Sequence, residues 1–364
     1  MNLLHPTRRP RMRPNTPYTW YVTCGMPTYT TLANVRFDRT FREIDAIVEA
    51  YTVGEPKARA LFGPDVRYGG PAWAGISYGH VNCLGSTLRF PPDSEVAHTP
   101  IYSSLEEGIE ALQQPVDWAS AGLMPSYLAL WEQLKRAFPD LHIGFGGFGY
   151  EGPVTTAWEV RGHVFFTDTY DEPERYGTFM QLLTHSIVDY AVFVRALNGQ
   201  PARVDRVSLY DDVSSMIHPR LWPELVLPYH EQFFREQEEG AARRHAHIEN
   251  LVPAHLPHLD ALGLDSFDPS VSPRLTPTDL SAQCRVPFLW RLNEMHVRDR
   301  TREQIRQSVL DAVANGASGV FCTLSRTMTG PEQVSKIHAF IEAAKQVERL
   351  LADGIARDQL ASYA

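Results

Sequence analysis

Two histidines and a carboxylate stand at alternate positions in His245-Ala246-His247-Ile248-Glu249. Alternate residues of a strand share a face, so an extended chain here sets two imidazoles and a carboxylate on one side. Such a group suits a metal ion, since zinc accepts nitrogen, oxygen and sulfur donors. The plainer reading is a polar strand end with hydrogen-bonded histidines. His245 lies deeper in the run, so His247 with Glu249 is the favoured pair. Cys322 stands alone after the apolar run Gly319-Val320-Phe321. It reads as a small core residue or, at a strand end, as a thiolate ligand. Other ionisable candidates follow other apolar runs: Tyr210, Asp211 and Asp212 after Val204–Leu209, Asp268 after Asp265–Phe267, and Asn293, Glu294 and His296 after Pro287–Leu292. Asp211 and Asp212 fit acid–base work or the capping of a helix, with one of the two structural. Asp268-Pro269-Ser270 fits a catalytic group or an Asx turn.

The glycine-rich stretch Gly144 to Gly152 lacks the lysine of a phosphate loop and the downstream acid of a dinucleotide site. It reads as a strand-end loop that lets a ligand approach closely. Trp73, Tyr78 and His80 read as part of a lid or as packing for a long early loop.

These residues need elements to hold them. Residues 1–35, rich in Pro, Arg and Thr, read as an N-terminal arm. Phe37 to Tyr51 has helical spacing, and Gly54 to Pro100 is punctuated like loop. From Ser103 onward the alternation is regular. Helices are expected over 103–112, 126–138, 173–197, 219–239, 256–262, 301–314 and 331–352. Strands are expected over 141–145, 204–210, 244–248, 265–267, 287–292 and 318–322. Strands alternating with helices indicate parallel βαβ units. Chain length and the steady repeat favour an α/β fold of the (β/α)8 TIM-barrel type over residues 36–364, against a doubly wound open sheet. In such a barrel the strand C-termini face the site, which is where the candidates above fall.

The 364 residues carry a formal net charge of −9, which gives no general case for nucleic-acid binding. The basic run His5 to Arg13 reads as a solvated tail rather than a nucleic-acid arm. No apolar stretch reaches membrane-spanning length, and no apolar leader is seen. Four scattered cysteines without a CxxC spacing fit a reducing, cytoplasmic setting.

Several of these segments resemble the uroporphyrinogen decarboxylase-like superfamily, from about Pro100 to the end of the chain. Glu151-Gly152-Pro153-Val154-Thr155 resembles its G-P-[FV]-T turn. Leu209-Tyr210-Asp211-Asp212, with His218-Pro219-Arg220, resembles its "DD…SP" segment. His247-Ile248-Glu249-Asn250 falls where many members carry H-x-C-G-N. Phe321-Cys322-Thr323-Leu324 and Thr329-Gly330-Pro331-Glu332 resemble the last strand and the helix start after it. The arginine-rich opening of the haem-pathway decarboxylase is missing: the corresponding region reads Tyr21 to Pro27. True uroporphyrinogen decarboxylase activity is therefore not expected.

The resemblance implies a site like that of the superfamily's zinc methyltransferases and, more distantly, the cobalamin-independent methionine synthases. It places Glu249 where the first zinc cysteine stands and matches His247 and Cys322 to the other two ligands. A His/Glu/Cys set is harder than His/Cys/Cys, which allows Zn2+ and brings Fe or Mn within reach. The expected function is metal-dependent methyl or alkyl transfer to a small thiol or related nucleophile. A corrinoid or other methyl donor and a homodimer are expected partners. Tyr210, Asp212, Asp268, Glu294 and His296 would manage protons or orient the substrate. The competing readings are a metal-free decarboxylase or lyase of a small acid, with Arg291 and Arg326 near a carboxylate, and a binding barrel that has lost its chemistry.

Overall fold

A computed structural model describes residues 16–363; the basic run His5 to Arg13 and the rest of 1–15 lie outside the described residues. Among the described residues seven strands occur in chain order: β1 (Thr19–Cys24), β2 (Val66–Tyr68), β3 (Val204–Tyr210), β4 (Glu238–His247), β5 (Ser266–Asp268), β6 (Leu289–Arg291) and β7 (Gly319–Thr323). The described residues divide into two compact units, one of 75–249 and 257–265, the other of 16–74, 250–256 and 266–363. None of the described helices is long and apolar enough to cross a membrane.

In the first unit β3 and β4 pair in parallel, with Ser208 opposite His245 and Tyr210 opposite His247. The long helix Pro173–Leu197 buries Tyr176, Phe179, Met180, Leu183, Ile187 and Tyr190, a stripe at helical spacing. Residues 141–145, expected as a strand, form none. Asn198, just past that helix, supplies the substitute pairing. Its carboxamide accepts the Phe145 N–H (2.7 Å) and donates to the Phe145 carbonyl (2.9 Å). The Trp131 indole donates to the Ile143 carbonyl (2.8 Å). Side chains thus satisfy backbone groups that a ladder would otherwise take. A short parallel bridge, Ile76 with Phe148, follows.

In the second unit the order is β2-β1-β7-β6, all parallel, and Phe267 of β5 bridges to Phe288. Gly319 is obligatory there: a Cβ would lie 2.1 Å from the Thr19 carbonyl oxygen of the neighbouring strand. The helix Pro331–Ala352 buries Ile337, Phe340, Ile341, Ala344 and Val347.

Three further expectations are corrected. The supposed arm contains β1 and the helix Met26–Ala33: Thr19–Cys24 gains its partners from β2 and β7, which are remote in sequence and invisible to a local reading. The helix expected over 37–51 is a 3-10 turn (Phe37–Phe41), a helix (Ile44–Glu49) and a π-turn (Ala50–Gly54) that runs on into Glu55–Phe62. At that π-turn Gly54 abuts the Tyr29 backbone, where a Cβ would meet the carbonyl oxygen at 2.3 Å. The helix expected over 219–239 breaks at Val226 and gives way at Glu238 to β4, so that strand begins earlier than Arg244.

Candidate active site

The first unit builds its site on the ends of β3 and β4. At the end of β3 two adjacent aspartates part ways. Asp211 is fully buried and accepts the Val154 N–H (3.2 Å), the Thr155 N–H (2.6 Å) and a hydrogen bond from His230 Nε2 (2.6 Å). The helix Pro153–Arg161 has a glycine N-cap with no side chain of its own, so Asp211 caps it from another segment. Gly152 is needed for that approach, because a Cβ would sit 2.5 Å from the Asp211 Cβ. Thr155 answers by accepting the Val213 N–H through its hydroxyl (3.0 Å). Of the two roles open to this pair, Asp211 takes the structural one.

Asp212 turns the other way. Its Oδ1 accepts the Glu249 N–H at 2.8 Å and lies 3.8 Å from His247 Nε2. Glu249 Oε1 lies 3.7 Å from the same imidazole nitrogen. One ligand atom from each of Asp212, His247 and Glu249 can be chosen so that all lie within 4.8 Å of one another. Two ligands held about 2.0–2.2 Å from one zinc ion are about 3.4 Å apart at the tetrahedral angle, close to the 3.7 and 3.8 Å that separate His247 Nε2 from the two carboxylates. One imidazole and two carboxylates therefore fit a divalent ion. Tyr210, half exposed, packs its ring 5.7 Å from that of His247. His245 shares their face of β4, one pleat deeper and opposite Ser208.

Tyr210, Asp212 and His247 border a cavity of about 410 Å3, walled on its other sides by Ile76, Ser77, Gly147, Gly149, Tyr150 and Glu151. The glycine stretch read as a close-approach loop thus supplies Gly147 and Gly149 to the wall. Glu151 went unnoticed as an acid in the sequence, where it served only as the residue before the G-P-V-T turn. Burial lifts its carboxyl to about 7; Asp212 and Asp211 add to the rise, while a hydrogen bond from Ser77 and the nearby His247 oppose it. Burial also raises Asp212, against the pull of His247 and the Glu249 N–H. In the helix Pro153–Arg161 that follows, Glu159 is buried, one carboxyl oxygen has no hydrogen-bond partner, and burial holds it well above the usual carboxylate range. A carboxylate beside a glycine turn was the one signal that could have marked Glu151.

Asp268, Glu294, His296, Arg291, Arg326 and Cys322 belong to the second unit. Asp268 is buried and accepts the Ser270 N–H (2.7 Å), the Asx-turn arrangement. Glu294 opens a short helix and accepts a hydrogen bond from the Thr327 hydroxyl. His296 is lowered to about 4, chiefly by burial and then by Arg300. Arg291 donates to the Ser270 hydroxyl (2.5 Å), and Arg326 stacks over Phe37. Cys322 is fully buried in β7, and burial pushes its thiol up to about 12. Of the early-loop residues, Trp73 and His80 are buried packing groups, and Tyr78 packs its ring at a tilt against His98, with centroids 4.4 Å apart.

The model of one family, Uroporphyrinogen decarboxylase (URO-D), matches residues 78–347, and the chain belongs to that family. It is an enzyme of the uroporphyrinogen decarboxylase family. Among solved structures it is similar to a methyltransferase from Methanosarcina mazei, with a TM-score of 0.63 and 15% identity, over 91% of this chain and 94% of that one. At that identity the likeness speaks for the fold, which is a TIM-barrel-like α/β arrangement with parallel sheets. A search of curated proteins finds no match. The family resemblance carried by the turn, aspartate, histidine and last-strand segments is thereby borne out.

Proposed function

We propose that the chain is a metal-dependent methyl or alkyl transferase acting on a small thiol or related nucleophile. The observation that carries this reading is the meeting of His247, Glu249 and Asp212, two of which, His247 and Asp212, line a cavity of about 410 Å3, in a chain of the URO-D family. His247 and Glu249 are the residues that would hold a divalent ion; when bound, such an ion lowers the pKa of a thiol ligand and so supplies a thiolate at neutral pH. Tyr210 and the Gly147–Gly149 wall orient the substrate. Glu151, poised near neutrality, takes up or returns a proton at its carboxyl oxygen. A closed eight-stranded barrel, a homodimer and a methyl-donor or corrinoid partner belong to the same reading, supported by the family and the shared fold. A cytoplasmic setting is supported by four free, buried cysteines.

The test is a screen of thiol acceptors and methyl donors with chelated and reloaded enzyme. Turnover should vanish on chelation and return with one divalent ion. Full activity together with full metal content in His247→Ala would end this reading. A second reading, a metal-free decarboxylase or lyase of a small acid, is favoured by Glu151 alone, because an acid of that strength on the cavity wall can protonate a carbanion. Release of carbon dioxide that survives chelation and falls in Glu151→Gln would select it.

A further inference from the structure

The metal centre that the family resemblance implies uses the last-strand cysteine. The geometry of the second unit argues against that use here. Trp20 of β1 points its indole at Glu348 on the helix Pro331–Ala352 (3.4 Å), so Trp20 and Val22 face the helix layer. Parallel register sets Val22 beside Cys322. The alternate residues mark the opposite face: Tyr21 stacks on Phe321 with ring centroids 5.1 Å apart, and Thr23 donates to the Thr323 hydroxyl at 3.2 Å. Cys322 thus sits on the helix-packed face, wholly buried, while Thr323 holds the other face at the strand end and is exposed. The thiolate-ligand reading of Cys322 is corrected to that of a core thiol.

In the first unit the third donor stands where no cysteine is needed. Asp212 is fixed toward His247 and Glu249 by its hydrogen bond to the Glu249 N–H. Its neighbour Asp211 is committed to the helix cap, so the two cannot exchange roles. We propose that the cation site of this enzyme is built only of nitrogen and oxygen donors, from Asp212, His247 and Glu249, without Cys322. A set lacking sulfur gives up the preference of thiolates for zinc and accepts borderline and hard divalent ions, including iron(II) and manganese. The proposal rests on the metal reading above and fixes which residues and which ions it involves.

Cobalt(II) loaded into the wild-type protein tests this directly. The expected spectrum has ligand-field bands and no thiolate-to-cobalt charge-transfer absorption. By equilibrium dialysis, Cys322→Ser should bind cobalt and manganese within about twofold of wild type. Asp212→Asn should lose more than the ~10–100-fold that removal of a supporting partner alone costs. A charge-transfer band that disappears in Cys322→Ser would overturn the proposal, as would wild-type protein that takes up no divalent ion. The wild-type spectrum needs no variant to fold. A sulfur-free site on an enzyme whose turnover ignores chelators would leave this proposal standing and remove the transferase reading instead.

Discussion

Glu151→Gln in metal-free protein isolates the cost of a buried carboxylate. Burial displaces this carboxyl from its ordinary 4.5 to about 7. One pKa unit corresponds to about 1.4 kcal/mol, so the displacement represents about 3 kcal/mol. Between those two values the native protein keeps a proton that the unfolded chain has already released. Wild-type stability therefore falls as pH rises through this window, being fully present below about 4.5 and lost above about 7. Glutamine keeps the shape, carries no charge and has no such window. Relative to wild type, the variant should gain about 3 kcal/mol between pH 4.5 and pH 8. Urea unfolding at four or five pH values, with EDTA present, gives the difference curve. A difference that is flat with pH, or one in which wild type gains on the variant as pH rises, would refute the reasoning. Adding a divalent ion should shift the window downward, because a cation beside Glu151 favours its charged form.

Asp211→Ala should destabilise the fold by about 3–5 kcal/mol, since it strands two helix N–H groups and a buried imidazole; a loss below about 1 kcal/mol in urea unfolding would contradict the capping role. Gly152→Ala should cost about 1–3 kcal/mol through the clash with the Asp211 side chain, seen as a lower denaturation midpoint. In the native protein Cys322 should resist a thiol reagent at pH 8 and react only on unfolding, because its sulfur is buried and held as the thiol; rapid labelling of Cys322, located by peptide mapping, would show the face assignment to be wrong.

The strands that carry the site were legible in the sequence because each ends abruptly in polar residues. Val204–Tyr210 is observed as expected, and the alternation of His245, His247 and Glu249 pointed to the pair His247 and Glu249, whose imidazole and carboxylate lie 3.7 Å apart. The helix Pro331–Ala352 was equally plain from its apolar spacing and the proline at its start. The face of Cys322 was not legible. Gly319, Val320, Phe321 and Cys322 are all buried, so both sides of β7 are apolar and alternation carries no inside or outside. Residues 141–145 read as a strand because they form a short apolar run that ends in glycines; the partner that replaced the ladder, Asn198, lies far along the chain. Glu151 escaped notice because its acidity comes from burial, which a local sequence does not report.

Adjacent placement of Asp211 and Asp212 has a consequence for how this scaffold can be varied. One aspartate anchors the helix Pro153–Arg161, and the next, on the opposite side of the chain, meets His247 and Glu249. A one-residue insertion or deletion on either side would carry one carboxylate to the other's place, so the end of β3 should tolerate length changes less than a substitution at position 212. Laboratory evolution of new chemistry should hold Gly152 and Asp211 constant and randomise positions 212 and 249. Variation there redraws the donor set while the frame that supports it stays intact.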